Sequence, residues 1–173
     1  FLLEAGCKRV VFCSSNLDDP QAVETRRKGY EQVMDRAGLP RLAQHLNLRG
    51  FPHGHSLSEL EQLVNAPADG KADAIVAASD ETAFKLIELL GAIGIRVPED
   101  LFLTGFGNRG FHRNPPYDAP YLTTVDLQPE RIGKEAALMV LNLREGIEMI
   151  EKDILVDPVL VQGKTTVSPI RPS

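Results

Sequence analysis

The sequence predicts an α/β protein built on a parallel sheet with helices on both faces. The strongest sign is the unit between Asp73 and Val125. A short apolar run, Ala74 to Ala78, is closed by Ser79-Asp80; a helical stripe of Ala83, Leu86, Ile87, Leu90 and Ile93 follows, then a second apolar run from Leu101 to Phe106. Runs this short read as buried strands, whereas apolar residues recurring at three- and four-residue spacing mark a helix with one face in a core. A strand-helix-strand crossover is almost always right-handed and brings the carboxyl ends of both strands to one edge of the sheet, where open α/β sheets bind ligands. That edge carries Ser79, Asp80, Gly107 and Asn108, so a small-molecule site is expected there. Asp80 has the right chemistry to cap the intervening helix.

The remaining elements follow in order. Phe1 to Gly6 looks like the last turn and a half of an amphipathic helix stopped by Gly6, with no initiator Met, so the chain reads as a fragment whose N-terminal part is absent. Val10-Val11-Phe12-Cys13 is a buried strand closed by Ser14-Ser15-Asn16. Asp18 or Asp19 before Pro20 starts a helix with the apolar stripe Val23, Tyr30, Val33, Met34 and Ala37, ended by Gly38, and Arg26 and Arg27 lie in its first turns. Arg41 to Arg49 alternates weakly as a strand, and Gly50 to His55 is a loop. Ser56 with Glu59, and Ser58 with Glu61, offer capping boxes for a helix carrying Leu57, Leu60, Leu63 and Val64. Prolines 115, 116 and 120 exclude a helix between Phe111 and Pro120. Tyr121 to Val125 is β-rich. Pro129 opens a helix with Ile132, Ala136, Met139, Val140 and Leu143 on one face, closed by Gly146. Ile154-Leu155-Val156 and Val159-Leu160-Val161 read as an edge strand broken at Asp157-Pro158.

Composition narrows the function classes. The 173 residues, 43% hydrophobic, suffice for one ordinary domain with a core. No apolar run approaches the ~20 residues needed to cross a bilayer, and no signal peptide opens the chain. A net charge of -5 and a pI near 5.4 argue against this segment clamping nucleic-acid phosphates by itself. Cys7 and Cys13 are only six residues apart and suggest no disulfide framework, which fits a reducing, cytoplasmic compartment.

Motifs for chemistry are sparse. Gly105-Phe106-Gly107-Asn108-Arg109-Gly110 spells G-x-G-x-x-G with Asp126 downstream, but the dinucleotide motif needs a helix directly after it and the proline-bearing segment from Phe111 supplies none. His53 and His55 are close together, but neither they nor His45 and His112 join Cys or paired carboxylates at a metal-site spacing. No nucleophile-base arrangement occurs, so no catalytic residue, cofactor or metal is expected.

Taken together, LLEAGCKRVVFCSS, RRKGYEQVMDRAGL, ADAIVAASDETAFKLIELLGAIGIRVPEDLFLTGFGN, APYLTTVDLQPERIGKEAALMVL and VLVQGKTT resemble the C-terminal part of LacI/GalR-family bacterial transcription regulators, in the family's order over nearly the whole chain. The resemblance implies an effector-binding region of the type I periplasmic-binding-protein fold, here a partial one. Residues 1–120 and 154–173 would form mainly one three-layer lobe, and 121–153 a crossover strand and helix belonging to the other lobe. The DNA-binding helix-turn-helix and the first half of the effector region would be missing. It further implies a non-enzymatic sensor that binds a sugar, sugar phosphate or related metabolite between lobes and controls DNA binding allosterically. A homodimer is expected, through Leu57 to Leu63, the outer face of the Thr82 to Leu90 helix and the Phe111 to Tyr121 arm. A periplasmic solute-binding protein of the same fold is the alternative.

The resemblance also nominates residues. Arg26 stands three before Gly29, where the family places an arginine that bonds effector hydroxyls or carboxylates; by residue type alone it is a solvated helix arginine. Ser79 and Asp80 occupy the family's Asn/Ser-Asp position. Phe51 matches an aromatic that stacks on the effector ring, though a core phenylalanine fits its type equally. The family's Gly-Phe/Tyr-Asp is altered: Gly107 replaces the acidic acceptor of sugar hydroxyls, and Asn108 follows. A phosphorylated or carboxylated effector contacted by Asn108 or Arg109 is therefore expected.

Overall fold

Val10 to Cys13, with no polar side chain before Ser14, can only be stable with protein on both sides, and that is where the fold puts it. The computed structural model describes residues 1–48, 56–65, 70–108, 121–147 and 153–167. Strand β1 (Val10–Ser15) is buried at every position and pairs in parallel with β2 (Leu42–Leu46) and with β3 (Ala74–Ala77). Strand β4 (Phe102–Thr104) adds in parallel to β3, giving the sheet order β2-β1-β3-β4.

Because side chains alternate across a strand, the sheet's apolar residues divide between two faces. Val11, Cys13, Ile75, Ala77 and Leu103 point to one face and meet Leu60 and Val64 of α2 (Ser56–Asn65) and Leu86, Leu89 and Leu90 of α3 (Asp80–Ala92). Val10, Phe12, Ala74 and Phe102 point to the other and meet Tyr30 and Met34 of α1 (Pro20–Arg36). Helices thus cover both faces. Tyr30 secures its own layer, donating its hydroxyl to the Val10 carbonyl at 2.8 Å and accepting from the Leu42 N–H at 2.9 Å. Cys7 and Cys13 are buried free thiols.

Beyond β4 the chain changes partner. Thr123 bridges Thr104 in parallel, after which β5 (Thr124–Asp126) leaves the sheet and pairs antiparallel with β6 (Val159–Val161). The junction is held by buried threonines: Thr123 Oγ1 accepts from the Gly163 N–H at 2.8 Å and lies 2.7 Å from Thr166 Oγ1, while Thr165 Oγ1 accepts the Thr123 N–H at 2.9 Å. Helix α4 (Pro129–Arg144) follows β5.

Two sequence expectations change. Val33 lies 49% exposed, so the α1 stripe narrows to Tyr30 and Met34 with Val23 partly covered. Ile154 and Leu155 join no strand, Leu155 being 90% exposed; Asp157-Pro158 confines pairing to Val159–Val161. Among the described residues α4 buries none of its side chains, as expected of a helix that belongs to the other lobe. Its Val140 and Leu143 are more than half exposed.

Candidate functional site

The site is assembled where strands stop and helices begin. β1 runs out at Ser15, and the chain turns through Leu17 and Asp18 to Asp19, whose carboxylate caps α1 by accepting the Ala22 N–H at 2.8 Å. β3 runs out at Ala77 and reaches α3 through Ser79. The cap of α3 is Ser79 and not Asp80: Ser79 is extended (φ -146°, ψ 166°) and its Oγ accepts the Thr82 N–H at 3.1 Å. Asp80, one residue on, is the first helical residue, with its N–H on the Phe106 carbonyl at 3.1 Å. That placement turns its carboxylate inward, 1% exposed, to accept the Thr124 hydroxyl at 2.5 Å. Asp80 therefore ties α3 to β5, and its acceptor capacity is at least partly committed.

Between these ends lies a cavity of about 390 Å³ lined by Leu17, Asp18, Asp19, Ala22, Arg26, Ser79, Asp80, Glu81, Phe106, Gly107, Leu127 and Pro129. The first turns of α1, α3 and α4 all border it, each contributing the partial positive charge of a helix N-terminus. Arg26 rises from the second turn of α1, donates from Nη1 to the Ala78 carbonyl at 2.6 Å, and lays its guanidinium over the Phe106 ring with Cζ 4.0 Å from the centroid. Asp18 joins the two loops. It accepts hydrogen bonds from the Ser15 N–H at 2.7 Å, from the Thr82 hydroxyl at 2.9 Å and from the Ser79 hydroxyl.

Of the residues singled out from sequence, Arg26, Ser79, Asp80 and Gly107 line this one cavity. Asn108 follows Gly107 in the left-handed region (φ 51°) and donates its amide to Asp126 Oδ2 at 2.9 Å, while Asp126 Oδ1 accepts the Gln128 N–H at 2.7 Å. It thereby fastens the turn after β4 to the start of α4. Phe51 and Arg109 lie outside the described residues. Sequence reasoning passed over Phe106, taken only as a strand end, and Asp18, taken only as a possible cap. Phe106 carried a usable signal, since it sits beside Gly107 at the strand terminus; nothing in the spacing announced Asp18 as a junction between loops. Asp18 also walls an adjoining cleft of about 430 Å³ with Ser15, Asn16, Pro20, Val23 and His45. Among the described residues there is no group of three side chains able to hold a metal ion, and no helix long and apolar enough to cross a membrane.

An open parallel sheet with a cavity at its carboxyl edge is the architecture of an α/β ligand-binding lobe. The chain belongs to the periplasmic binding protein-like domain family, whose pattern matches residues 1–166. It is 34% identical over 153 residues to the sucrose operon repressor of Escherichia coli, covering 84% of this chain and 44% of the repressor. It is 27% identical over 170 residues to the HTH-type transcriptional repressor CytR of Escherichia coli (strain K12), covering 98% of this chain and 48% of CytR. The chain thus spans about half the length of the curated relatives it matches. A LacI family transcriptional regulator from Silicibacter pomeroyi superposes with a TM-score of 0.71 at 30% identity, over 95% of this chain and 58% of that one. The lac repressor dimer bound to operator shares the fold at 20% identity, TM-score 0.70, over 96% of this chain and 55% of that one.

Proposed function

We propose that this chain is the effector-sensing part of a LacI-type transcription regulator that binds a neutral, hydroxyl-bearing metabolite of the sugar class, without chemical turnover. The DNA-contacting helix-turn-helix belongs, in this reading, to sequence outside these 173 residues. The observation that carries it is the cavity at the carboxyl edge, lined by both Arg26 and Ser79, in a chain whose relatives are named as repressors. Those names favour a cytoplasmic regulator over a solute-binding protein. Dimerisation, through surfaces on α2 and α3, is part of the same proposal.

A neutral ligand is preferred on charge. Asp18, Asp19, Asp80 and Glu81 line the cavity against Arg26 as the cation. A helix N-terminus ordinarily welcomes phosphate. Here the N-terminus of α1 is already taken by the Asp19 carboxylate, and that of α3 by Ser79, with Asp80 and Glu81 in its first turn. The absence of an acid at Gly107 therefore does not favour a phosphorylated effector, because other carboxylates stand close by.

Effector binding would control DNA by preferring one arrangement of the lobes, since only differential affinity shifts such an equilibrium. A thermal-shift panel of sucrose, glucose, ribose, glucose 6-phosphate and ribose 5-phosphate on the full-length protein tests the reading. Saturation at a hundredfold over Kd stabilises by about 2.7 kcal/mol, several degrees in Tm. The expected result is a shift with a neutral sugar, weaker with phosphorylated forms and lost in Arg26→Met. Larger shifts with the phosphates would overturn the neutral class. A shift unaltered in Arg26→Met would overturn the site.

A further inference from the structure

We propose that Asp18 is a positioning residue of this cavity: by accepting the hydrogen bond of the Ser79 hydroxyl, it leaves Ser79 only a lone pair to offer, so the ligand group that meets Ser79 must be a donor. The inference rests on reading the cavity as the effector site. It names the chemistry selected there, a free hydroxyl and not an ether, a ketone or a phosphate oxygen.

The argument is a count of protons and lone pairs. A serine hydroxyl has one proton to donate and two lone pairs that accept. A carboxylate has no proton, so in the contact with Asp18 Oδ1 the Ser79 hydroxyl is the donor. One of its lone pairs takes the Thr82 N–H at 3.1 Å, the capping bond of α3. Among the described residues the Ser79 hydroxyl has no other partner. One lone pair therefore remains, on a half-buried side chain that lines the cavity.

The neighbours of Asp18 hold this polarity in place. Its Oδ2 accepts the Ser15 N–H at 2.7 Å and the Thr82 hydroxyl at 2.9 Å, so the carboxylate is tied to β1 and α3 as well as to Ser79. With the Thr82 hydroxyl directed at Asp18, the 2.7 Å contact between Ser15 Oγ and Thr82 Oγ1 has Ser15 as its donor. The hydroxyls of Ser15, Thr82 and Ser79 thus all point, directly or through one neighbour, toward one carboxylate. Turning the Ser79 hydroxyl into the cavity would exchange a charge-assisted bond for a neutral one.

Two measurements on the full-length protein test this. Neutron diffraction from crystals exchanged into D2O locates the Ser79 deuteron without any ligand. It is expected on the side of Asp18, and a deuteron aimed into the cavity overturns the proposal. Calorimetry then compares glucose and ribose with the deoxy and deoxyfluoro analogue of each at every hydroxyl in turn. Fluorine keeps an electronegative atom and lacks the proton, so it separates a required donor from a required acceptor. At the hydroxyl that meets Ser79, both analogues are expected to bind about three- to tenfold more weakly than the parent sugar, the deoxyfluoro analogue being the weaker. Ser79→Ala is expected to erase that dependence.

Asp18→Asn is expected to invert the order of the two analogues. With its carbonyl oxygen toward Ser15 and Thr82, the new amide donates to the second lone pair of Ser79 and frees the serine proton for the cavity, where fluorine is then preferred to hydrogen. A purely structural Asp18 would weaken all the sugars together and leave their order alone. A native protein that already prefers deoxyfluoro, an order that Asp18→Asn leaves unchanged, or a parent sugar that binds with no hydroxyl coupled to Ser79 overturns the proposal. Should Asp18→Asn not fold, the deuteron position and the native order still decide. Failure of the effector reading is distinct: neither parent sugar binds, wherever the deuteron lies, and the ligand requirement falls with it.

Discussion

The Asp18 carboxylate accepts a hydrogen bond from the hydroxyl of Ser79, 61 residues away in sequence, joining the loop after β1 to the cap of α3. The same carboxylate accepts from the Ser15 N–H and from Thr82 Oγ1, and Ser15 and Thr82 are 1% and 0% exposed. Removing the acceptor strands the Ser15 N–H away from water and leaves the Thr82 hydroxyl only Ser15 Oγ, 2.7 Å away, which costs more than the bond itself contributes. Asp18→Ala is expected to destabilise by about 2–3 kcal/mol. Asp18→Asn, keeping one carbonyl oxygen, is expected to lose roughly half of that. Urea unfolding reads both through Cm at constant m, and a native Cm for Asp18→Ala would refute the junction.

Two glycines hold backbone and carboxylate in contact. A Cβ at Gly105 would sit 2.3 Å from Asp80 Oδ1 and 2.7 Å from Leu122 Cδ2; one at Gly163 would sit 2.5 Å from the Leu122 carbonyl carbon. Neither obstacle is the loose end of a surface side chain. Gly105→Ala and Gly163→Ala are expected to cost about 1–3 kcal/mol or more, with Gly163 worse because its obstacles are backbone. Gly29, in the middle of α1 with nothing within 4 Å, provides the contrast: Gly29→Ala is expected to stabilise by about 0.5–1 kcal/mol. Thermal melts rank the three, and an inverted order would show that the junction around β5 yields.

The parallel sheet was legible because Val10 to Cys13 and Ala74 to Ala78 are too short and apolar to be anything but buried strands, and a helical stripe follows each. The cavity edge followed from topology. What escaped sequence reasoning depends on side-chain direction. Asp80 and Ser79 are neighbours and both good caps, and only the extended conformation of Ser79 decides that it accepts from Thr82 while Asp80 turns to Thr124. Asn108 offered an amide beside a glycine, which suits a ligand contact or a turn equally. Its left-handed φ and its bond to Asp126 place it in the turn. The fate of Ile154 and Leu155 was hidden because strand composition does not reveal whether a partner strand is within reach.

That turn yields its own prediction. Asn tolerates the left-handed region better than other non-glycine residues, and here its amide also bonds Asp126. Asn108→Ala loses both advantages and is expected to destabilise by about 1–2 kcal/mol. Asn108→Gly restores the backbone freedom and is expected to recover part of the loss. Equal Cm values for the two variants would mean that backbone conformation contributes nothing at this position.

The last prediction concerns alkaline pH. Burial, and secondarily the nearby Asp18 carboxylate, push the Cys13 thiol from an ordinary value near 9.0 up to about 12. The folded state therefore keeps this proton over a range in which the unfolded chain has lost it. Between pH 9 and 12 the native state binds more protons, so stability falls as pH rises, by up to about 1.4 kcal/mol per pH unit from this group. Below pH 9 the thiol is protonated in both states and has no effect. Tyr30, whose hydroxyl is raised chiefly by burial, adds to the alkaline loss in the same direction. Cys13→Ala is expected to flatten the decline in Cm between pH 9 and 11, and native Cys13 is expected to resist iodoacetamide at pH 8.5 until denaturant is added. Rapid alkylation of the folded protein at Cys13 would show that the thiol reaches solvent and that the sheet opens at β1.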